Sequence, residues 1–161
     1  MNSDWWFGHK WSSARSGDTP IEVSWDGGSA CGVLYTDSSP LTTSAFRARF
    51  PLRIDMVHAA WSGEMVMSTT TCELDVDVEE NSTRLVRPGD ITWDAKVGEV
   101  CLVYGDAECR LPSGPNTVVV IGSLTTNPDS LAELCQSIRF TGVKSVTFDD
   151  PNPNPKGTDH E

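Results

Sequence analysis

Between residues 21 and 148 the chain never runs far before it is broken. Apolar, β-branched stretches of about four to eight residues alternate with Gly, Pro and Asp-Gly interruptions, a spacing that suits short antiparallel strands. Ile21-Glu-Val-Ser-Trp25 alternates apolar and polar residues, as a half-buried strand does. Asp26-Gly27-Gly28 is a hairpin turn signal, and Ala30-Cys-Gly-Val-Leu-Tyr35 reads as the returning strand. Residues 57–61 and 64–68 read as two strands around Ser62-Gly63. Residues 72–78 read as another, with Leu74, Val76 and Val78 alternating with Asp75 and Asp77. Ile91 to Trp93, the almost wholly apolar Val100 to Tyr104, Thr117 to Ile121 and Val143 to Phe148 complete the set. Helical signals occur twice. Ser39-Pro40 opens a short helix, with Thr42 or Thr43 as its cap and Pro51 beyond its end. Asn127-Pro128 opens a longer one to about Phe140, with Leu131, Leu134, Cys135 and Ile138 on one face and Gly142 past the end. About eight strands with two helices predict a mainly β fold: a closed antiparallel barrel whose open ends the helices plug.

With 161 residues, one domain with a real core is expected. The expected division is a Trp-rich extension over residues 1–20, a barrel over 21–148 and a polar Pro/Asn tail over 149–161. Trp5, Trp6, Phe7 and Trp11 crowd the extension. So many rings should dock on the body, cover a pocket, or pack on a second subunit, so a homodimer is one expected assembly.

Composition narrows the partners. There are 23 Asp and Glu against 12 Lys and Arg, a formal charge of −11. Phosphate contacts need a basic face, so nucleic acid is not expected, and neither is an anionic membrane. No run approaches the ~20 apolar residues of a membrane helix. Met1-Asn-Ser-Asp-Trp-Trp lacks the basic start and apolar stretch of a signal peptide. Cys31, Cys72, Cys101, Cys109 and Cys135 are odd in number and form no CxxC pair, which suits free thiols in a reducing cytoplasm. His9, His58 and His160 are far apart and none is at ligand spacing to a cysteine, so no metal site is expected.

Three segments carry the chemistry: His58-Ala-Ala-Trp61-Ser62-Gly63-Glu64-Met-Val, Pro88-Gly-Asp90-Ile-Thr-Trp93, and Val103-Tyr104-Gly105. A carboxylate beside indole and phenol rings loses water, which raises its pKa toward neutrality and lets it exchange protons at pH 7. Glu64 is the candidate. Asp90 reads as a turn residue and Asp94, beside Trp93, as an alternative acid.

Taken together, these segments resemble a family of small bacterial proteins with a cyclophilin-like barrel, over roughly residues 21–148. Relatives in that group include enzymes that close rings by the Pictet–Spengler reaction. Among them are the cucumopine and mikimopine synthases, which join histidine to 2-oxoglutarate, and cyclases that turn tryptophan-type amines into β-carbolines. The resemblance implies a cofactor-free cyclase of bacterial secondary metabolism, joining an aromatic amine to an aldehyde or keto acid. In that reading Glu64 is the acid and base, and His58 is a second proton carrier or a carboxylate contact. Trp61, Trp93 and Tyr104 wall the substrate and stack on its iminium cation. Ser62 is a further substrate contact, and Arg53 pairs with a substrate carboxylate. True cyclophilins isomerise proline with a Phe-His-x-Arg element, which Phe46-Arg-Ala-Arg49-Phe50-Pro51 does not reproduce. Two other classes remain open: a ligand-binding barrel without catalysis, and a scaffold that docks through its Trp-rich arm.

Overall fold

The computed structural model describes residues 14–151. The Trp-rich cluster at Trp5 to Trp11 and most of the tail lie outside the described residues. Eleven strands are formed: β1 (Thr19–Trp25), β2 (Gly28–Leu34), β3 (Leu52–His58), β4 (Gly63–Ser68), β5 (Ser82–Thr83), β6 (Asp90–Asp94), β7 (Glu99–Ala107), β8 (Arg110–Leu111), β9 (Gly114–Pro115), β10 (Val118–Leu124) and β11 (Lys144–Asp149). The helices are α1 (Pro40–Arg47) and α2 (Pro128–Thr141). The main sheet runs β2-β1-β11-β3-β4-β7-β6-β10, and β10 pairs back onto β2. All these pairings are antiparallel, so eight strands close a barrel and β5 extends β10. The chain is a mainly β, closed antiparallel barrel with two helices, as its punctuation predicts.

Closure depends on two glycines. At the β2–β10 seam, Gly32 is opposite Leu124 and Gly122 is opposite Leu34. A Cβ on Gly32 would run into the carbonyl oxygen of Ser123, and one on Gly122 would sit 2.5 Å from that of Val33. The two strands therefore approach more closely than any side chain at these positions allows.

Strand alternation sorts the barrel wall. Ile54, Met56, Val66, Ile91, Trp93, Val100 and Leu102 point inward to one core with Phe46 of α1 and Leu131, Leu134, Cys135 and Ile138 of α2. Met65, Cys101, Val103, Cys109 and Val118 point outward and form a second, smaller cluster. Both helices bury a single face, and α2 packs against β2, β3, β4 and β7 at one barrel end.

Several local expectations change. Residues 72–78 form no strand. Both edges of β4 are taken, by β3 and β7, so a closed barrel offers this segment nothing to pair with. It is tied down instead: Trp93 Nε1–H donates to the Cys72 carbonyl at 2.9 Å, and Cys72 N–H donates to the Gly98 carbonyl at 2.7 Å. The strand expected to reach Trp61 stops at His58, and Ala60–Ser62 form a single 3-10 turn before Gly63, whose φ of 103° reverses the chain. Ser39, rather than Thr42 or Thr43, is at the N-cap of α1, and the Thr43 hydroxyl donates to its carbonyl at 2.7 Å. Asn127 precedes α2 in a left-handed conformation, and its amide donates to Ser29 O at 2.8 Å instead of capping the helix.

The seam gives a stability test. G32A should cost about 3 kcal/mol, because backbone must move to admit the methyl group. G27A, at a turn where a Cβ meets nothing, should cost about 1 kcal/mol of backbone strain. Urea unfolding of the two variants measures the difference, and equal costs would refute the close-approach explanation.

Candidate functional site

At the barrel end that α2 covers, β3 finishes with His58, β4 begins with Gly63 and Glu64, and Tyr104 lies within β7, which continues to Ala107 instead of ending at Gly105 as expected. His58 is opposite Val66, which faces the core, so its imidazole turns inward with Ile54 and Met56. A register shift between Gly63 and Met65 marks a bulge at the Glu64 position. The bulge and the inward parity bring three residues from separate strands to one rim.

His58 Nε2 and the Tyr104 hydroxyl are 2.7 Å apart, and the two rings meet edge to face at 5.7 Å between centroids. His58 Nδ1 is buried and has no partner. Leaving a bare lone pair there costs less than leaving a bare N–H. That places the proton on Nε2, which donates to the Tyr104 oxygen. Burial lowers the His58 pKa below 6.5, the nearby Arg139 cation lowers it further, and the Glu64 carboxylate opposes them. Burial, then the Glu64 charge and the Cys135 thiol, raise the Tyr104 pKa above 10, with Arg139 opposing. At neutral pH the pair is therefore a neutral imidazole on a neutral phenol, beside a carboxylate and a guanidinium. Glu64 is half-buried. Its Oε2 accepts the Asp106 backbone N–H at 2.6 Å, and it occupies the space that a side chain on Gly105 would need. Oε1 has no hydrogen bond among the described residues.

The other expected site residues lie elsewhere. Trp61 is 41% exposed and lines a small cleft of about 20 Å³ against Met65, Cys109 and Arg110, on the outer face of the wall. Ser62 is buried as a clasp: Arg110 N–H donates to its hydroxyl at 3.1 Å, and the hydroxyl donates to Arg110 O at 3.0 Å. Trp93 is 3% exposed, packed in the core and bonded to Cys72. Arg53 lies on the outside of β3, in a cleft separate from the rim. Asp90 is 1% exposed, and both terminal nitrogens of Arg15 donate to its carboxylate, which also accepts the Arg87 N–H at 2.8 Å. Asp94 is likewise held, by Lys96 N–H at 2.9 Å and the Asn116 amide at 2.7 Å. The cysteines are free, and burial pushes the Cys109 and Cys135 thiols up to about 12, which leaves them inert at neutral pH.

Sequence reasoning missed Arg139 and Phe140. Arg139 is in the last turn of α2, and its guanidinium carbon lies 5.7 Å from the centroid of the Phe140 ring, which is 80% exposed. Nothing in their local pattern distinguishes them from a solvated helix end. Only the docking of α2 brings the cation to the rim. Four clefts of about 380 to 620 Å³ have linings that do not include His58, Glu64 or Tyr104.

Comparison with known proteins starts from the barrel. Residues 22–150 match the family described as "Protein of unknown function (DUF3830)". The chain belongs to that family. No curated protein matches its sequence. Among solved structures it resembles the solution structure of the hypothetical protein AF2241 from Archaeoglobus fulgidus, with a TM-score of 0.58 and 20% identity over 84% of this chain and 97% of that one. It also resembles the structure of McbB in complex with tryptophan, with a TM-score of 0.61 and 15% identity. That match covers 85% of this chain and 46% of McbB, so the chain spans about half of McbB's length. These likenesses fit the cyclophilin-like barrel. Among the described residues, no helix is long and apolar enough to cross a membrane.

The depressed His58 pKa sets a pH dependence. The folded chain releases this proton at a lower pH than the unfolded chain, whose imidazole titrates at its ordinary 6.5. Between those two values the unfolded state binds more protons. Stability should therefore fall as pH drops below about 6.5 and level off beneath the folded value. NMR titration of the imidazole should show the low pKa, and R139Q should move it upward. A His58 pKa at or above 6.5 in the native chain would contradict the burial argument.

Proposed function

We propose that this chain is a cofactor-free cyclase of the Pictet–Spengler type, joining an aromatic amine to an aldehyde or keto acid at the rim formed by Glu64, His58 and Tyr104. The single observation that carries the reading is the convergence there of a carboxylate, a neutral imidazole and a protonated phenol from three strands. The likeness to McbB, whose structure holds tryptophan, supports an aromatic amine as one reactant.

The reaction asks for proton transfers at defined moments. The free amine attacks the carbonyl carbon and a C–N bond forms. The resulting carbinolamine takes a proton on its hydroxyl and loses water to give an iminium cation. The electron-rich ring then attacks the iminium carbon, and a base removes the displaced ring proton. The net product is the cyclised amine plus water, so no oxidant, reductant or metal is called for. Glu64 serves as the base through its unbonded Oε1, while Asp106 N–H holds Oε2 in place. The Tyr104 hydroxyl, whose oxygen accepts from His58, donates to the departing water. The Glu64 anion also faces the iminium charge, a contribution of several kcal/mol as an order of magnitude in a dry site. Arg139 is positioned to receive a substrate carboxylate. Room for the substrate requires the last turn of α2, with Phe140 at its surface, to shift outward.

A second reading is a binding barrel without catalysis. The bond from Asp106 N–H to Glu64 favours it, because a carboxylate committed to the backbone can be purely structural.

One assay separates them. The chain is mixed with tryptophan, tryptamine or histidine and a panel of aldehydes and keto acids, and condensation with loss of water is followed by mass. E64Q should lower turnover by about 100-fold or more, and Y104F by about tenfold or more, with the fold intact. Binding of the amine without any condensation, unaltered by E64Q, would establish the non-catalytic reading instead.

A further inference from the structure

A second site lies where the outer wall meets the barrel end that α2 covers. Ser24, Thr147 and Arg53 are in register across three neighbouring strands, β1, β11 and β3. They line a cleft of about 430 Å³ together with Trp25, Asp26, Leu134 of α2 and Lys144, which starts β11 opposite the inward-facing Met56. That volume is within the range of small-molecule sites.

The chain's formal charge is −11, and several cations are engaged: Arg15 with Asp90, Arg47 with Asp150, Arg84 with Glu108, and Lys96 with Asp94 and Glu79. Among the described residues, Arg53 and Lys144 have no carboxylate partner, although both line the same cleft. Asp55, two residues along β3, would be the obvious mate for Arg53, but it accepts the Ser145 hydroxyl instead. Among the described residues, the Ser24 and Thr147 hydroxyls have no hydrogen-bond partner. Asp26, exposed at the β1–β2 turn, is the one carboxylate in the lining and leaves the cleft with a cationic excess. Trp25 is part-buried and packs on the core, so its ring is held at the cleft edge.

We propose that this cleft binds a small organic anion carrying a planar group, through residues other than those of the rim and independent of any catalysis there. Arg53 takes the anionic oxygens in bidentate fashion, and Lys144 supplies a second, adjustable charge. The Ser24 and Thr147 hydroxyls donate to the remaining lone pairs, and Trp25 offers a face or edge to the planar group. A phosphate monoester and a carboxylate share this chemistry.

Phenyl phosphate and benzoate are the probes, titrated into the full chain by calorimetry at fixed ionic strength, with NMR of the Trp25 indole N–H as the local reporter. Saturable binding is expected, weakened by added salt. R53Q should weaken it by about tenfold or more, K144Q should weaken it less, and R84Q should leave it unchanged. Saturation by phenyl phosphate alone assigns a phosphoryl ligand, and saturation by both probes assigns anions generally. Absence of saturation by either, or binding that R53Q leaves intact, overturns the proposal. E64Q is expected to bind both probes like the native chain, so an inactive rim and an empty outer cleft are separate results.

Discussion

The barrel depends on how closely β2 and β10 approach. Gly32 and Gly122 let two backbones meet where a Cβ on either would strike a carbonyl of the other strand. Closure removes the sheet edges that would otherwise attract another strand. It also fixes a limited interior, which inward side chains and one face of each helix occupy. With the interior spent on packing, polar chemistry is confined to the barrel's ends and its outer wall.

The rim under α2 follows from that confinement. His58 ends β3, Glu64 is at the start of β4, and Tyr104 lies within β7, where the three side chains meet beneath α2. Burial does the electrical work. It suppresses the charge of the imidazole and the phenol, and leaves a carboxylate and the Arg139 guanidinium as the charged neighbours. The unpartnered Nδ1 of His58 is the cost the fold bears there. Asp90, by contrast, is buried but fully satisfied, and it pins Arg15 to the barrel across 75 residues of sequence.

The outer wall behaves differently. There the register of β1, β11 and β3 sets Ser24, Thr147 and Arg53 in one row, and pairing is decided by which neighbours reach each other. Ser145 engages Asp55, and among the described residues Arg53 has no carboxylate partner in a strongly acidic protein. A cation so placed is available to a ligand in a way that the clamped Arg15 is not.

Period and punctuation determined the architecture. Two-residue alternation in Ile21 to Trp25, turn residues at Asp26-Gly27-Gly28 and the Asn127-Pro128 start fixed strands, hairpin and helix, because these are local preferences of backbone and side chain. The fate of residues 72–78 was not local: their alternation is sound, but closure left no edge to receive them. The same limit applies to the site. His58, Glu64 and Tyr104 could be picked out by residue type, but the strand ends could not: β3 stops at His58 rather than Trp61, and β7 continues past Tyr104 to Ala107. Trp61 and Trp93, neighbours of that chemistry in sequence, were turned to the outer face and to the core by a 3-10 turn and by inward parity. Arg139 is far from Glu64 along the chain and joins it only through the docking of α2. Facing and docking arise from packing between distant segments, and a linear pattern holds no record of them.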